Sequence, residues 1–143
     1  EPTTALDVTI QSQILELINR IKAERNLSVI FITHDLGVVA NMADRIAVMY
    51  LGKMVELADA DEIYNRPLHP YSKSLLSAVP VPDPKIVRAN KRIVLSGDIP
   101  SPLNAPSGCP FHTRCPYATA ECKKTEPKMK QVKGRMVACH LFD

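Results

Sequence analysis

Eleven of the twelve prolines in this 143-residue chain lie at position 67 or beyond. Proline removes a backbone donor and pushes its predecessor toward extended geometry, so long helices and central strands belong to the first half of the chain. Val79-Pro80-Val81-Pro82-Asp83-Pro84 reads as a stiff linker. Charge divides at the same place: residues 1–83 carry 7 Lys+Arg against 11 Asp+Glu, and residues 84–143 carry 11 against 4. Coincident shifts of this kind mark a boundary between modules. The expected organisation is a first module over 1–79, a linker over 80–98 and a smaller extension over 99–143. No apolar run approaches the roughly 20 residues that span a bilayer, and no basic-then-apolar leader is visible, so export is not expected.

Within the first module the apolar positions Ile10, Ile14, Leu17, Ile18 and Ile21 fall on one helical face. Asp7 is placed to cap that helix and Asn26 to end it. Ser28–Thr33 is short, continuously apolar and β-branched, which predicts a buried strand. Asp35 then caps a helix over Leu36–Ala43 whose buried side would hold Leu36, Val39, Ala40 and Ala43. Arg45–Tyr50 and Lys53–Ala58 read as strands of a hairpin turning at Gly52. Short helices follow over Asp59–Asn65 and from Pro70 to Ala78, with a further short strand over Lys91–Leu95. The alternation predicts an α/β layer with a mainly parallel sheet.

In such sheets ligands bind outside the carboxyl ends of the strands. That edge is where Glu1 and Asp7 at one strand exit, and His34-Asp35 at another, are expected. A carboxylate and a histidine, each at the exit of a strand and followed by a helix, are what an open α/β active site needs. Taken alone, each has a plainer reading: Glu1 solvated, Asp7 a helix cap, His34 a turn residue.

The extension carries Cys109, Cys115, Cys122 and Cys139. They are compatible with two disulfides in three pairings, a metal site or four free thiols. No close C-x2-4-C pair of the kind zinc favours is present, although His112 and His140 are available as substitute ligands. Cys109-Pro110 and Cys115-Pro116 are the Cys-Pro step frequent at iron–sulfur ligands. A zinc-ribbon-like nucleic-acid module is the alternative from a different class. Phe111 and Tyr117 offer its only aromatic platforms near the cysteines, and Lys123, Lys124, Lys128, Lys130 and Lys133 read equally well as a solvated face.

Glu1-Pro2-Thr3-Thr4-Ala5-Leu6-Asp7 followed by Phe31-Ile32-Thr33-His34-Asp35 resembles the nucleotide-binding subunit of ATP-binding-cassette transporters. Val48-Met49-Tyr50-Leu51-Gly52-Lys53-Met54-Val55-Glu56, Pro67-Leu68-His69-Pro70-Tyr71 and Gly108-Cys109-Pro110-Phe111-His112 are similar to its dipeptide/oligopeptide branch. The resemblance implies the C-terminal part of an α/β, P-loop-type ATPase core followed by a small irregular Cys-rich extension. It implies that Glu1 polarises the attacking water, that Ala5-Leu6-Asp7 forms the loop across the dimer interface, and that His34 contacts the γ-phosphate. It also implies ATP and Mg²⁺ as cofactors of a longer subunit, since no Gly-rich phosphate loop or Leu-Ser-Gly-Gly-Gln signature stands in these residues. These residues alone are expected to be inactive. A [4Fe–4S] cluster on Cys109, Cys115, Cys122 and Cys139, or Zn²⁺ in its place, is the expectation for the extension. The implied partners are a second ATPase subunit, two membrane-spanning permeases and an extracytoplasmic peptide-binding protein, with no nucleic acid. The implied location is the cytoplasmic face of the membrane.

Overall fold

A computed structural model describes residues 6–79 and 92–143. The chain divides into two compact units, one ending at Ala43 and one running from Asp44 to Asp143. Among the described residues no helix is long and apolar enough to cross a membrane.

The first unit holds two helices. Helix α1 spans Val8–Arg25 and begins where Asp7 Oδ1 accepts the Ile10 N–H at 2.9 Å. It stops at Asn26, whose left-handed backbone lets the Leu27 N–H reach back to the Lys22 carbonyl at 3.0 Å. Both ends are therefore as the sequence predicts. The apolar stripe is in register too, but no residue of α1 is buried: Ile14 and Ile18 are half-covered, and Ile10, Leu17 and Ile21 are exposed. Helix α2 spans Leu36–Met42 under its Asp35 cap and buries Val38, rather than the expected Leu36, Val39, Ala40 and Ala43.

Residues 28–33 correct the expected buried strand. They pair with nothing in a sheet, and Ile30 and Ile32 are 95% and 70% exposed. A fully buried strand is made by neighbours on both edges and both faces, and the described residues supply this segment with no strand neighbour.

The second unit is built on a four-stranded sheet of order β1-β2-β4-β3, antiparallel throughout. The mainly parallel sheet expected from the element order is thus not formed; the described fold is mixed helix and antiparallel sheet. Strands β1 (Arg45–Tyr50) and β2 (Lys53–Asp59) form the expected hairpin. Its two central residues, Leu51 and Gly52, have φ of 46° and 74°, the mirror-image turn whose twist suits a two-residue hairpin. Strand β1 alternates strictly, burying Ile46, Val48 and Tyr50. Strand β2 does not, because Val48 faces Glu56 while Met49 faces Met54, leaving Val55 as the extra residue of a bulge. Val55 and Glu56 are consecutively buried as a result, and the Val55 carbonyl is taken by the Ala138 N–H at 2.9 Å.

Helices α3 (Ala60–Asn65) and α4 (Pro70–Ser77) follow as expected. The expected strand over Lys91–Leu95 does not form in its described part, residues 92–95, where Ile93 instead donates its N–H to Ser77 Oγ at 3.0 Å. The linker expected over 80–98 falls largely on residues 80–91, outside the described residues.

The tail is more regular than expected. It contains a short helix α5 (Ala120–Lys124) and a second hairpin, β3 (Lys130–Val132) and β4 (Arg135–Val137). Strand β4 lies against β2, with Glu56 opposite Val137 and Leu57 opposite Met136. The tail and the first hairpin therefore share one sheet. Arg135 on β4, 6% exposed, adds an anchor: its guanidinium pairs with the Glu62 carboxylate and donates to the Glu62 and Arg66 carbonyls at the end of α3. It thereby ties β4 to the end of α3, where the Glu62 carbonyl also accepts the Arg66 N–H at 3.0 Å.

Candidate functional site

The residues singled out from the sequence fall in both units. In the first, Glu1 and Ala5 lie outside the described residues. Leu6 is 39% exposed, and the Asp7 carboxylate is engaged as the α1 cap. His34 is exposed and stands in a bend between the apolar segment and α2. Its neighbours shape that bend. Thr33 Oγ1 accepts the Asp35 N–H at 3.0 Å, and Asp35 Oδ1 accepts the N–H groups of Gly37 and Val38 at 2.8 and 3.3 Å. Asp7 and His34 are thus both at helix N-terminal turns, the positions from which side chains and backbone donors reach a charged ligand.

In the second unit the four cysteines are gathered. None is in a disulfide, and Cys109, Cys122 and Cys139 are buried with Cys115 partly so. Cys109 sits on a loop held to α5, its N–H donating to the Cys122 carbonyl at 2.8 Å. The approach is close enough that a side chain on Gly108 would put its Cβ 2.5 Å from that same carbonyl oxygen. Gly108 also has φ of 68°, so the position admits only glycine without strain. Burial pushes the Cys109 thiol up to about 11, against the pull of the Phe111 N–H, and the Cys122, Cys139 and Cys115 thiols add to the rise. Cys115 and Cys139 are raised for the same first reason; each faces a backbone N–H two residues on, at Tyr117 and Leu141, and each feels other cysteines of the set. Cys122 Sγ is 3.3 Å from Thr119 Oγ1.

The four sulfurs therefore lie within electrostatic reach of one another. Even so, among the described residues no group of three His, Cys, Asp or Glu side chains converges as metal ligands do. The expected [4Fe–4S] cluster, the expected Zn²⁺ and the zinc-ribbon alternative gain no support from this arrangement. An open cleft of about 320 Å³ lies nearby, lined by Thr125, Glu126, Lys128, Lys130, His140 and Asp143. It contains none of the four cysteines, but His140, Lys128 and Lys130 of the sequence reading stand on its wall.

Three residues take parts that the sequence reading does not assign to them. Glu56 is fully buried in mid-strand, and its carboxylate accepts the Leu68 and His69 N–H groups at 2.8 and 2.9 Å. His69, 1% exposed, accepts the Tyr71 N–H on Nδ1 at 3.1 Å and so caps α4; burial lowers its pKa to about 4. Phe111 is the third. It meets the rings of Tyr50 at 5.2 Å, Tyr71 at 5.3 Å and His69 at 5.7 Å, so His69-Pro70-Tyr71 is the seat on which the cysteine-bearing tail rests. Alternation on β2 predicts one of Val55 and Glu56 outside; only the bulge places both inside, and nothing local signals it.

Residues 55–122 match the family described as "Oligopeptide/dipeptide transporter, C-terminal region". Across 143 residues the chain is 52% identical to the oligopeptide transport ATP-binding protein OppF of Salmonella typhimurium, covering all of this chain and 43% of that protein. It is 50% identical to OppF of Escherichia coli, again over all of this chain and 43% of that protein. Identity to the putative oligopeptide transport ATP-binding protein YkfD of Bacillus subtilis is 49%, over 99% of this chain and 44% of that protein. The chain thus spans less than half the length of the curated relatives it matches.

Proposed function

We propose that the chain belongs with the oligopeptide transport ATP-binding proteins it resembles, and that it forms part of an ATPase subunit that powers peptide import. About 50% identity from end to end with ATP-binding relatives is the observation that carries the reading. In the whole protein ATP and Mg²⁺ supply the phosphoryl group and the charge that neutralises its oxygens. This chain's residues fit the terminal-phosphate end of such a ligand. His34 stands exposed in a turn fixed by its neighbours, and an imidazole there donates to phosphate oxygens as negative charge grows. Glu1 orients the water that attacks in line, and Ala5-Leu6-Asp7 carries the state of one site to the other across a dimer. Asp7 suits that role because its cap bond ties the loop to all of α1.

The partners in this reading are a second ATP-binding subunit, two membrane-spanning permeases and an external peptide-binding protein, with the ATPase on the cytoplasmic face of the membrane. Residues 1–79 are assigned to the ATPase core and 99–143 to the extension. Glu1→Gln in the full-length subunit, assayed in the assembled transporter, is expected to lower ATP turnover by about 100-fold or more. Turnover near the wild-type rate would refute the role given to Glu1.

A second reading concerns the tail. A metal centre on Cys109, Cys115, Cys122 and Cys139 is the reading to test there, with backbone N–H groups facing the sulfurs of Cys109, Cys115 and Cys139. Sulfur-directed N–H groups are among the means by which a protein tunes such centres. Protein purified without oxygen is expected to hold about four irons and matching sulfide per chain. About one zinc and no colour would make the site a zinc staple, and neither metal would leave a purely thiol-packed tail.

A further inference from the structure

We propose that Thr33 and Asp35 are positioning residues that lock the turn carrying His34 into one backbone conformation. The proposal rests on the reading of His34 as the residue that senses the terminal phosphate. Both sequence neighbours of His34 spend their side chains on backbone. Thr33 Oγ1 accepts the Asp35 N–H at 3.0 Å, which closes the turn around His34 from one side. Asp35 Oδ1 accepts the Gly37 and Val38 N–H groups at 2.8 and 3.3 Å, and the Asp35 carbonyl accepts the Val39 N–H at 3.2 Å. The turn is thereby welded to the first turn of α2.

Gly37 belongs to the same device. A Cβ at this position would stand 3.2 Å from Asp35 Oδ1, the oxygen that already accepts the Gly37 N–H. Glycine keeps that oxygen in bonding position. His34 is exposed, and the segment before it pairs in no sheet. A group that must meet a phosphate oxygen needs placement within about half an ångström, and these local hydrogen bonds contribute to it.

The test uses the full-length subunit in the assembled transporter, with ATP turnover, KM for ATP and thermal midpoint measured together. Asp35→Ala is expected to lower kcat about five- to tenfold, with KM within about twofold, as for loss of an interaction realised only in the transition state. Asp35→Asn, which can still cap, restores most of the rate. Gly37→Ala separates positioning from stability, since alanine raises helix propensity while crowding Asp35 Oδ1. It is expected to lower kcat without lowering the thermal midpoint; a purely structural cap would leave kcat intact. His34→Ala should abolish turnover. A normal rate in His34→Ala overturns the reading of His34 and the brace with it. Loss of turnover in His34→Ala, with full kcat in Asp35→Ala and Gly37→Ala, overturns the brace alone. Should Asp35→Ala fail to assemble, the same criteria apply to Asp35→Asn and Gly37→Ala.

Discussion

Glu56 and His69 show how much one buried polar pair can fix. The carboxylate holds the two N–H groups that precede α4, and the imidazole holds the next one. In Glu56→Gln one acceptor becomes an NH₂ group facing an N–H donor. The expected cost is about 2 kcal/mol, read as a shift of the urea unfolding midpoint; a change within experimental error would mean that these bonds contribute nothing net. His69 makes stability depend on pH. Its folded pKa of about 4 lies below the ordinary 6.5, because burial disfavours the charged ring. The neutral ring's contribution is therefore complete above about pH 6.5 and is lost as pH falls toward 4. It amounts to about 3 kcal/mol. The thermal midpoint of wild type should fall across that window by more than that of His69→Asn, which cannot titrate. Parallel curves for the two would remove His69 from the account.

Among the elements, the two attachments of the tail carry testable weight. Arg135→Met removes the guanidinium that pairs with Glu62 and caps the carbonyls ending α3. Glu62 is 31% exposed, so solvent takes over part of the pairing. A loss of about 2 kcal/mol is expected rather than the full cost of breaking a buried pair, and a double-mutant cycle with Glu62→Gln should show coupling between the two sites. Gly108→Ala should cost more than about 2 kcal/mol, combining left-handed backbone strain with a Cβ driven into the Cys122 carbonyl. A stable Gly108→Ala protein would mean that the loop lifts away from α5 at little cost.

Elements with local causes were legible in the sequence. Asp7, Asp35 and Asn26 act within a few residues of themselves, and all three perform as their types predict. So does the hairpin at Gly52. What depends on distant partners was not legible. Residues 28–33 have strand composition without a strand's neighbours. Strands β3 and β4 are three residues each, too short for a pattern, and only Gly134 after Lys133 hints at the turn between them. The antiparallel sheet follows from that unforeseen hairpin. At the candidate site the sequence pointed to His34 and the four cysteines. It could not show that Thr33 and Gly37 work with Asp35, or that Phe111 seats the tail on His69-Pro70-Tyr71.

For the molecule as a whole, the exposed apolar surface of the first unit is the feature with most bearing on its relatives' greater length. Ile30 is 95% exposed in this chain, yet its segment has the composition of a strand covered on both faces. In the full-length subunit Ile30→Lys is expected to destabilise by about 3 kcal/mol or more, the cost of an unpaired charge in a core. A change within about 0.5 kcal/mol, as at ordinary surface positions, would show that Ile30 stays in water there too.

The pairing of β4 with β2 also sets an order in time. On the ribosome, β2 is complete at Asp59, while its neighbour ends at Val137, about 80 residues later. At about 5–20 residues per second, one edge of the nascent hairpin stays open for roughly 4–16 s. Open edges recruit strands from other chains unless something in the strand discourages them, and an inward-pointing charge is one such deterrent. Glu56 sits at the point where Val137 will later arrive, so the carboxylate that anchors α4 in the finished protein stands on the edge that is open during synthesis.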